Sequence, residues 1–248
     1  MRSIDLNCDL GEGGAHDAAV MPHITSANIA CGGHAGDTDL MRATIALARR
    51  HGVAIGAHPG YADRADFGRR ERPVSAAEVA EIVANQVSAL IEVAGEVPQH
   101  LKLHGALYNQ VCRSAELAEG LVRLVMTRWP GLRVFALAGS PLVQAGRTGG
   151  LLMIEEGFMD RAYEADGTLS PRAAPGAVLH DPQAAAARAV MMVRERRVPV
   201  RTGGHWPLHV DSLCLHGDGA DPVGLARAVR AALATAGVIV AAPKGERA

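Results

Sequence analysis

LKLHGALYN, residues 101–109, opens on an apolar run that carries a lysine, reaches a histidine and breaks at a glycine. The same ending recurs in NIACGGHAG (28–36), AIGAHPG (54–60) and SLCLHGDG (212–219). Four of the chain's eleven histidines therefore stand where a short hydrophobic run stops at or near glycine. Runs this short, bounded by glycine, have the length of buried strands. A parallel barrel gathers the carboxyl ends of its strands at one face, so imidazoles at four strand ends imply a shared polar mouth.

Working outward, strand-like runs fall at 2–9, 24–32, 53–58, 99–104, 132–138, 151–156 and 211–216, enough for a closed sheet. Helices fill most of the gaps. Ser75 and Glu78 form a capping box ahead of Val79, Ile82, Val83, Val87, Leu90, Ile91 and Ala94, a stripe of helical period that stops at Gly95. Asp181-Pro182 and Asp221-Pro222 read as N-caps followed by proline, starting helices that reach 196 and 236. Two more helices span Asp37 to His51 and Ser114 to Arg128. Strands alternating with helices define an α/β class with parallel strands. The polar, glycine- and proline-rich segment 157–180 is long for a loop, and 198–210 reads as a hairpin turning at Gly203-Gly204. No linker or repeat divides the chain, so a single domain over 1–248 is expected.

With 48% hydrophobic and 21% charged residues, a formal net charge of −1 and a pI near 6.8, the chain is neither disordered in character nor basic, which argues against nucleic acid as a partner. The first residues, MRSIDLNCDLGEG, carry carboxylates at 5, 9 and 12 where a signal peptide needs an apolar run. No stretch approaches the ~18 apolar residues of a membrane span. A cytoplasmic protein without membrane contact is expected. The four cysteines form no CxxC or zinc spacing; Cys8, Cys31 and Cys214 lie in strand-like runs, as buried reduced thiols do.

Alternation along a strand puts Asn7 with Asp9 on one face, Asn28 with His34 if that strand continues so far, Lys102 with His104, and His216 with Asp218. A lone strand-end histidine is most often a hydrogen-bonded core or loop residue. Four in equivalent positions favour a site. Lys102, between Leu101 and Leu103, must snorkel or find a partner. No phosphate loop, dinucleotide fingerprint, nucleophile elbow or HExxH motif is present, and AGRTGG (145–150) lacks the lysine of a nucleotide loop. Asp9 with two strand-end histidines is a candidate holder of a divalent metal, the alternative being a metal-free polar cavity. Charged clusters such as RRH (49–51) and RERR (194–197) read as solvated or helix-terminal charge.

IDLNCDLGEG (4–13), SANIACGGHAGD (26–37), GVAIGAHPGY (52–61), FGRR (67–70), KLHGALYN (102–109), EGFMDRAY (156–163), GTLSPR (167–172), PGAVLHD (175–181) and LCLHGD (213–218) form an ordered set. By these blocks the chain resembles the LamB/YcsF family from near its first residue to about 219. The resemblance implies a seven-stranded parallel (β/α) barrel of the glycoside hydrolase/deacetylase type. It also implies ATP-dependent opening of the 5-oxoproline lactam to L-glutamate, with subunits B and C as partners and ATP bound mainly by them. Within that implied reaction, Asp9 or His104 is the candidate general base, and Lys102, His58 and His216 would stabilise developing charge. Asn7, Asn28, His34, Tyr108, Asn109 and Arg161 are candidates for holding substrate, with Asp160 orienting Arg161 or serving as a second acid.

Three positions depart from the family's usual pattern: Gly33 replaces an aromatic residue, Leu103 a proline, and HPGYAD stands for HPSYPD, removing a serine at Gly60. Two other functions compete. One is a metal-dependent amidase or deacetylase acting alone, the other a non-catalytic substrate-binding subunit.

Overall fold

The computed structural model describes residues 2–216 and 221–243. Its strands are β1 (Ser3–Leu10), β2 (Ser26–Ala30), β3 (Ala54–His58), β4 (His100–Lys102), β5 (Arg133–Leu137), β6 (Met153–Phe158), β7 (Arg197–Pro199), β8 (His205–Pro207), β9 (Ser212–Leu215) and β10 (Ile239–Val240). Its helices are α1 (Asp17–Val20), α2 (Thr38–His51), α3 (Ala76–Ala94), α4 (Gly105–Arg113), α5 (Ala115–Arg128), α6 (Pro141–Thr148), α7 (Pro182–Glu195) and α8 (Pro222–Thr235). Strands β1 to β6 pair in sequence order and in parallel, β6 pairs with β9, and β9 returns to β1. The result is the closed seven-stranded parallel barrel expected from the seven runs. β10 adds to the first residues of β1, and β7 with β8 forms the antiparallel hairpin over the 198–210 segment.

The helix starts follow their sequence signals. Ser75 N–H donates to Glu78 Oε2 (2.8 Å) and Glu78 N–H to Ser75 Oγ (3.3 Å), and Gly95 ends α3 at φ +75°. Asp37, Ser114, Asp181 and Asp221 each accept a first-turn N–H. Helices α4 and α6 have no counterpart among the sequence expectations. Both are short, and α4 buries Ala106, Leu107 and Tyr108 in succession, which blurs a 3.6-residue stripe. β2 and β4 stop short of the expected 32 and 104, while β6 runs on to Phe158.

The apolar core lies between barrel and helices. Leu6, Leu10, Ile29, Ala57, Leu101, Val134 and Leu213 face outward from the strands and pack with Val83, Val87, Leu90, Leu121 and Val125 of α3 and α5 in one continuous cluster. Each large aliphatic side chain so buried contributes about 1.5–3 kcal/mol. The inward positions are polar instead: Asp5, Asn7, Ser26, Asn28, His58, His100, Lys102, Glu156 and Ser212 are all buried. Gly56 makes room among them, since a Cβ there would sit 2.0 Å from His100 Nε2.

Asp5 closes the amino-terminal end of the interior, accepting from Thr25 Oγ1 (2.6 Å), Ser26 Oγ (2.7 Å) and Ser212 Oγ. Burial outweighs these bonds and pushes its carboxyl up to about 6. The folded chain thus keeps a proton on Asp5 that the unfolded chain has released. This contribution to stability is complete below pH ~4 and lost as pH rises through 6, amounting to about 3 kcal/mol. In Asp5→Asn, the fall in unfolding free energy between pH 4 and 6, read from urea titrations, should flatten by about 2 kcal/mol; an unchanged slope would place its origin elsewhere. Gly56→Ala should cost about 1–3 kcal/mol in the same assay, because the added methyl displaces His100.

Candidate active site

The interior is organised about one ammonium group. Lys102 Nζ donates to Asn7 Oδ1 (3.1 Å), Asp9 Oδ1 (2.9 Å) and Cys214 Sγ (3.0 Å), and pairs with Glu156 Oε1 (2.9 Å). Its neighbours lock one another. Asn7 Nδ2 donates to Glu156 Oε1 and Ser212 Oγ, both at 2.8 Å, and Asn28 Nδ2 donates to Asn7 Oδ1 (2.7 Å) and Asp9 Oδ1 (2.8 Å). His100 Nε2 meets Asn28 Oδ1 at 2.8 Å, and Tyr108 OH donates to Glu156 Oε2 at 2.8 Å. Burial opposes charge on Lys102, but Asp9, Cys214 and Glu156 around it hold its pKa well above the usual range. Burial also lowers His100, to about 3, with Lys102 adding to the effect.

Above this layer the strand-end histidines converge. His58 Nε2 lies 3.3 Å from Asp9 Oδ2 and 2.9 Å from His104 Nδ1. His34 Nε2 meets Glu12 Oε1 at 3.0 Å, and its ring stacks on that of His104, 3.6 Å between centroids. Burial alone would raise the Asp9 carboxyl, yet the His58 imidazole and Lys102 beside it hold it well below the ordinary range. Burial opposes charge on His58, and Asp9 overcomes this and raises it. His104 is lowered well below the usual value by burial and by His58 and His34. Donor atoms of Glu12, His34, His58 and His104 all lie within 4.8 Å of one another, the spacing of a possible cation site.

His216, which brings a ring nitrogen within 4.8 Å of an Asp9 carboxylate oxygen, has Nδ1 2.5 Å from Asp160 Oδ2. Burial would raise Asp160; the neighbouring His216 imidazole outweighs it and lowers the carboxyl. His216, Asp9, Glu12, Tyr108, Asn109 and Arg161 line a cleft of about 1090 Å³ over the barrel mouth, walled by α4, the start of α6 and the 160–173 segment. That segment is fastened by bridges from Arg161 to Val178 and from Tyr163 to Leu169 and Val200.

The structure thus brings Asp9, His34, His58, Lys102, His104, Tyr108, Asn109, Asp160, Arg161 and His216 to one end of the barrel. Several are differently engaged from what sequence suggests. β2 ends at Ala30, so His34 arrives through the following loop rather than by strand alternation. Asn7 and Asn28 are fully buried below the mouth and bind each other. Lys102 is shared among four acceptors. His104 sets Nε2 on the Phe67 carbonyl at 2.9 Å and turns Nδ1 to His58 Nε2 rather than to the cleft. Asp160 orients His216, whereas Arg161 donates to the Ala177 and Ser170 carbonyls. Asp218 lies outside the described residues. Glu12 and Glu156 escaped sequence reading as site residues, although both stand inside the recognised blocks, as did Cys214, whose thiol touches Lys102 rather than only apolar neighbours. Gln86, reaching in from α3, occupies the space left by Gly33 and brackets Gly60, accepting from its N–H (3.1 Å) and donating to its carbonyl (2.6 Å).

The LamB/YcsF family model matches residues 4–248. Among curated relatives, the 5-oxoprolinase A subunit of Brevibacillus brevis is 44% identical over 250 residues, 98% of each chain. The crystal structure of a lactam utilization protein from Thermus thermophilus superposes with a TM-score of 0.89 at 40% identity, covering 97% of this chain and 100% of that one. A family 4 carbohydrate esterase from Streptomyces lividans aligns with a TM-score of 0.50 at 10% identity over 96% of this chain and 91% of its own, which places the barrel in the deacetylase type by fold alone. No helix among the described residues is long and apolar enough to cross a membrane.

Removing the buried cation leaves Asp9 and Glu156 facing each other without compensation. Lys102→Met should cost about 3–5 kcal/mol of stability at neutral pH. Adding Glu156→Gln to it should recover part of the loss in a denaturant titration. A wild-type midpoint for the single variant would show that the network contributes nothing to stability.

Proposed function

Because the chain belongs to the LamB/YcsF family, we propose that it is the lactam-opening subunit of an ATP-dependent 5-oxoprolinase, converting 5-oxoproline to L-glutamate with ATP handled on partner subunits B and C. Relatives named as the A subunit of 5-oxoprolinase, matched along nearly their whole length, support the substrate. So does the name of the Thermus lactam utilization protein. ATP coupling rests on chemistry. A five-membered lactam is a stable amide, and phosphorylation of its carbonyl oxygen makes it a far better electrophile.

The observation that carries a catalytic role is the Asp160–His216 pair on the cleft wall. A carboxylate on Nδ1 fixes the imidazole tautomer and leaves the Nε2 lone pair as a base. His216 would take a proton from water as the water oxygen bonds to the lactam carbon. The C–N bond then breaks, the freed nitrogen receives that proton, and the acyl phosphate so formed gives up its phosphate to a second water, leaving glutamate. His104, with Nε2 on the Phe67 carbonyl and Nδ1 turned to His58, is less suited to this step. Lys102 acts through Asp9, which it holds charged and in place at the mouth. Arg161 on the cleft wall suits the substrate carboxylate, as guanidinium groups suit carboxylates generally.

The test is reconstitution: the purified chain, 5-oxoproline and ATP with and without candidate subunits B and C, measuring glutamate and ADP together. Glutamate should require the full set. His216→Ala and Asp160→Asn should each lower its rate about 10²–10⁴-fold while circular dichroism is unchanged. Glutamate formed by B and C without this chain would remove the catalytic assignment.

A further inference from the structure

Two imidazoles at the mouth face each other in an arrangement that the neutral rings cannot satisfy. His58 Nδ1 lies 2.8 Å from the Lys102 carbonyl and His104 Nε2 lies 2.9 Å from the Phe67 carbonyl. A carbonyl only accepts, so each of these nitrogens carries its ring's proton. The other two, His58 Nε2 and His104 Nδ1, then present opposed lone pairs 2.9 Å apart. Two carboxylates crowd the same point. Asp9 Oδ2 is 3.3 Å from His58 Nε2, while Glu12 Oε1 is 3.8 Å from that nitrogen and 3.4 Å from His104 Nδ1.

We infer that Asp9, Glu12, His58 and His104 form a binding site for one divalent metal ion of the zinc class. Imidazole with carboxylate is a donor set such ions take. Metal bonds of about 2.0–2.1 Å put neighbouring donors of a tetrahedral set about 3.3 Å apart. Here His58 Nε2 lies 2.9–3.8 Å from donors of His104, Asp9 and Glu12, and His104 Nδ1 lies 3.4 Å from Glu12 Oε1. The surroundings agree. Metal-bound imidazoles characteristically give their second N–H to a carbonyl or carboxylate, as both rings do. The Phe67 carbonyl is presented by a residue at φ +53°, a costly conformation for phenylalanine. Asp9 Oδ1 is taken by Lys102 and Asn28, which leaves Oδ2 for the ion.

His34 stands outside the set. Its ring is parallel to that of His104 within 2°, so one ion cannot lie in both ring planes. It acts on Glu12 instead, donating from Nε2 and orienting the carboxylate. Two other clusters among the described residues are already satisfied. Lys102 donates to Cys214 and Asp160 holds His216 in one; Arg147 pairs with Glu155 in the other. An ion at the mouth would polarise a carbonyl oxygen or a water in the cleft.

This site stands on ring geometry, independently of the lactam assignment, and its test uses the metal alone. The full chain is stripped with chelator and titrated with Co²⁺, followed by visible ligand-field absorption, and Zn²⁺ is then added in competition. One Co²⁺ per chain, displaced by Zn²⁺, is expected. Binding should weaken about 10–100-fold in His34→Gln, which removes only the support of Glu12. It should weaken further in His104→Gln and in the near-isosteric Glu12→Gln. Absence of saturable binding by either ion, or equal binding in Glu12→Gln and His104→Gln, would overturn the inference and leave a proton shared between His58 and His104. Glutamate formation does not enter the readout, so failure of the lactam assignment would leave this result standing.

Discussion

The structure depends on the buried ammonium of Lys102. It is 2% exposed, and an ion in that position is sustained only by charge and hydrogen bonds drawn from several strands at once. Asn7 and Asp9 come from β1, Glu156 from β6 and Cys214 from β9, so the barrel must close for the lysine to be satisfied. The closure in turn dictates where the apolar core can lie. With the interior occupied by polar side chains, the hydrophobic packing that stabilises the fold is transferred to the interface between strands and helices.

The same network separates support from chemistry. Asn7, Asn28 and His100 spend their hydrogen-bonding capacity on one another below the mouth and hold Asp9 in position. Groups one layer higher face the cleft: the second oxygen of Asp9, Glu12, and His216 backed by Asp160. Preorganisation of this kind suits electrostatic catalysis, because the groups need not reorganise when charge develops on the substrate. The proposed proton carrier and the proposed metal ligands share the barrel mouth, His216 coming within 4.8 Å of Asp9, and each is fixed by hydrogen bonds of its own.

Much of this was legible in sequence. Alternation placed Asn7 with Asp9 and Lys102 with His104, and the lysine between two leucines had either to snorkel or to find a partner. The misses have local causes. Glu12 lies in a loop, where no period predicts direction. Glu156 falls two residues before the end of a strand that runs farther than its apolar stretch suggested. Helix α4 begins at Gly105, directly after the strand-end histidine, and its successive buried residues hid it.

Sequence by itself determined the number of barrel strands, five helix starts with their capping residues, the polar residue types at the strand ends and the family. Only the tertiary structure decided which polar groups satisfy each other and which face the cleft. Asn7 meets Ser212, 205 residues away, and His216 meets Asp160, 56 residues away. Side-chain chemistry states what a residue can donate or accept, but its partner exists only once the first and last barrel strands lie side by side.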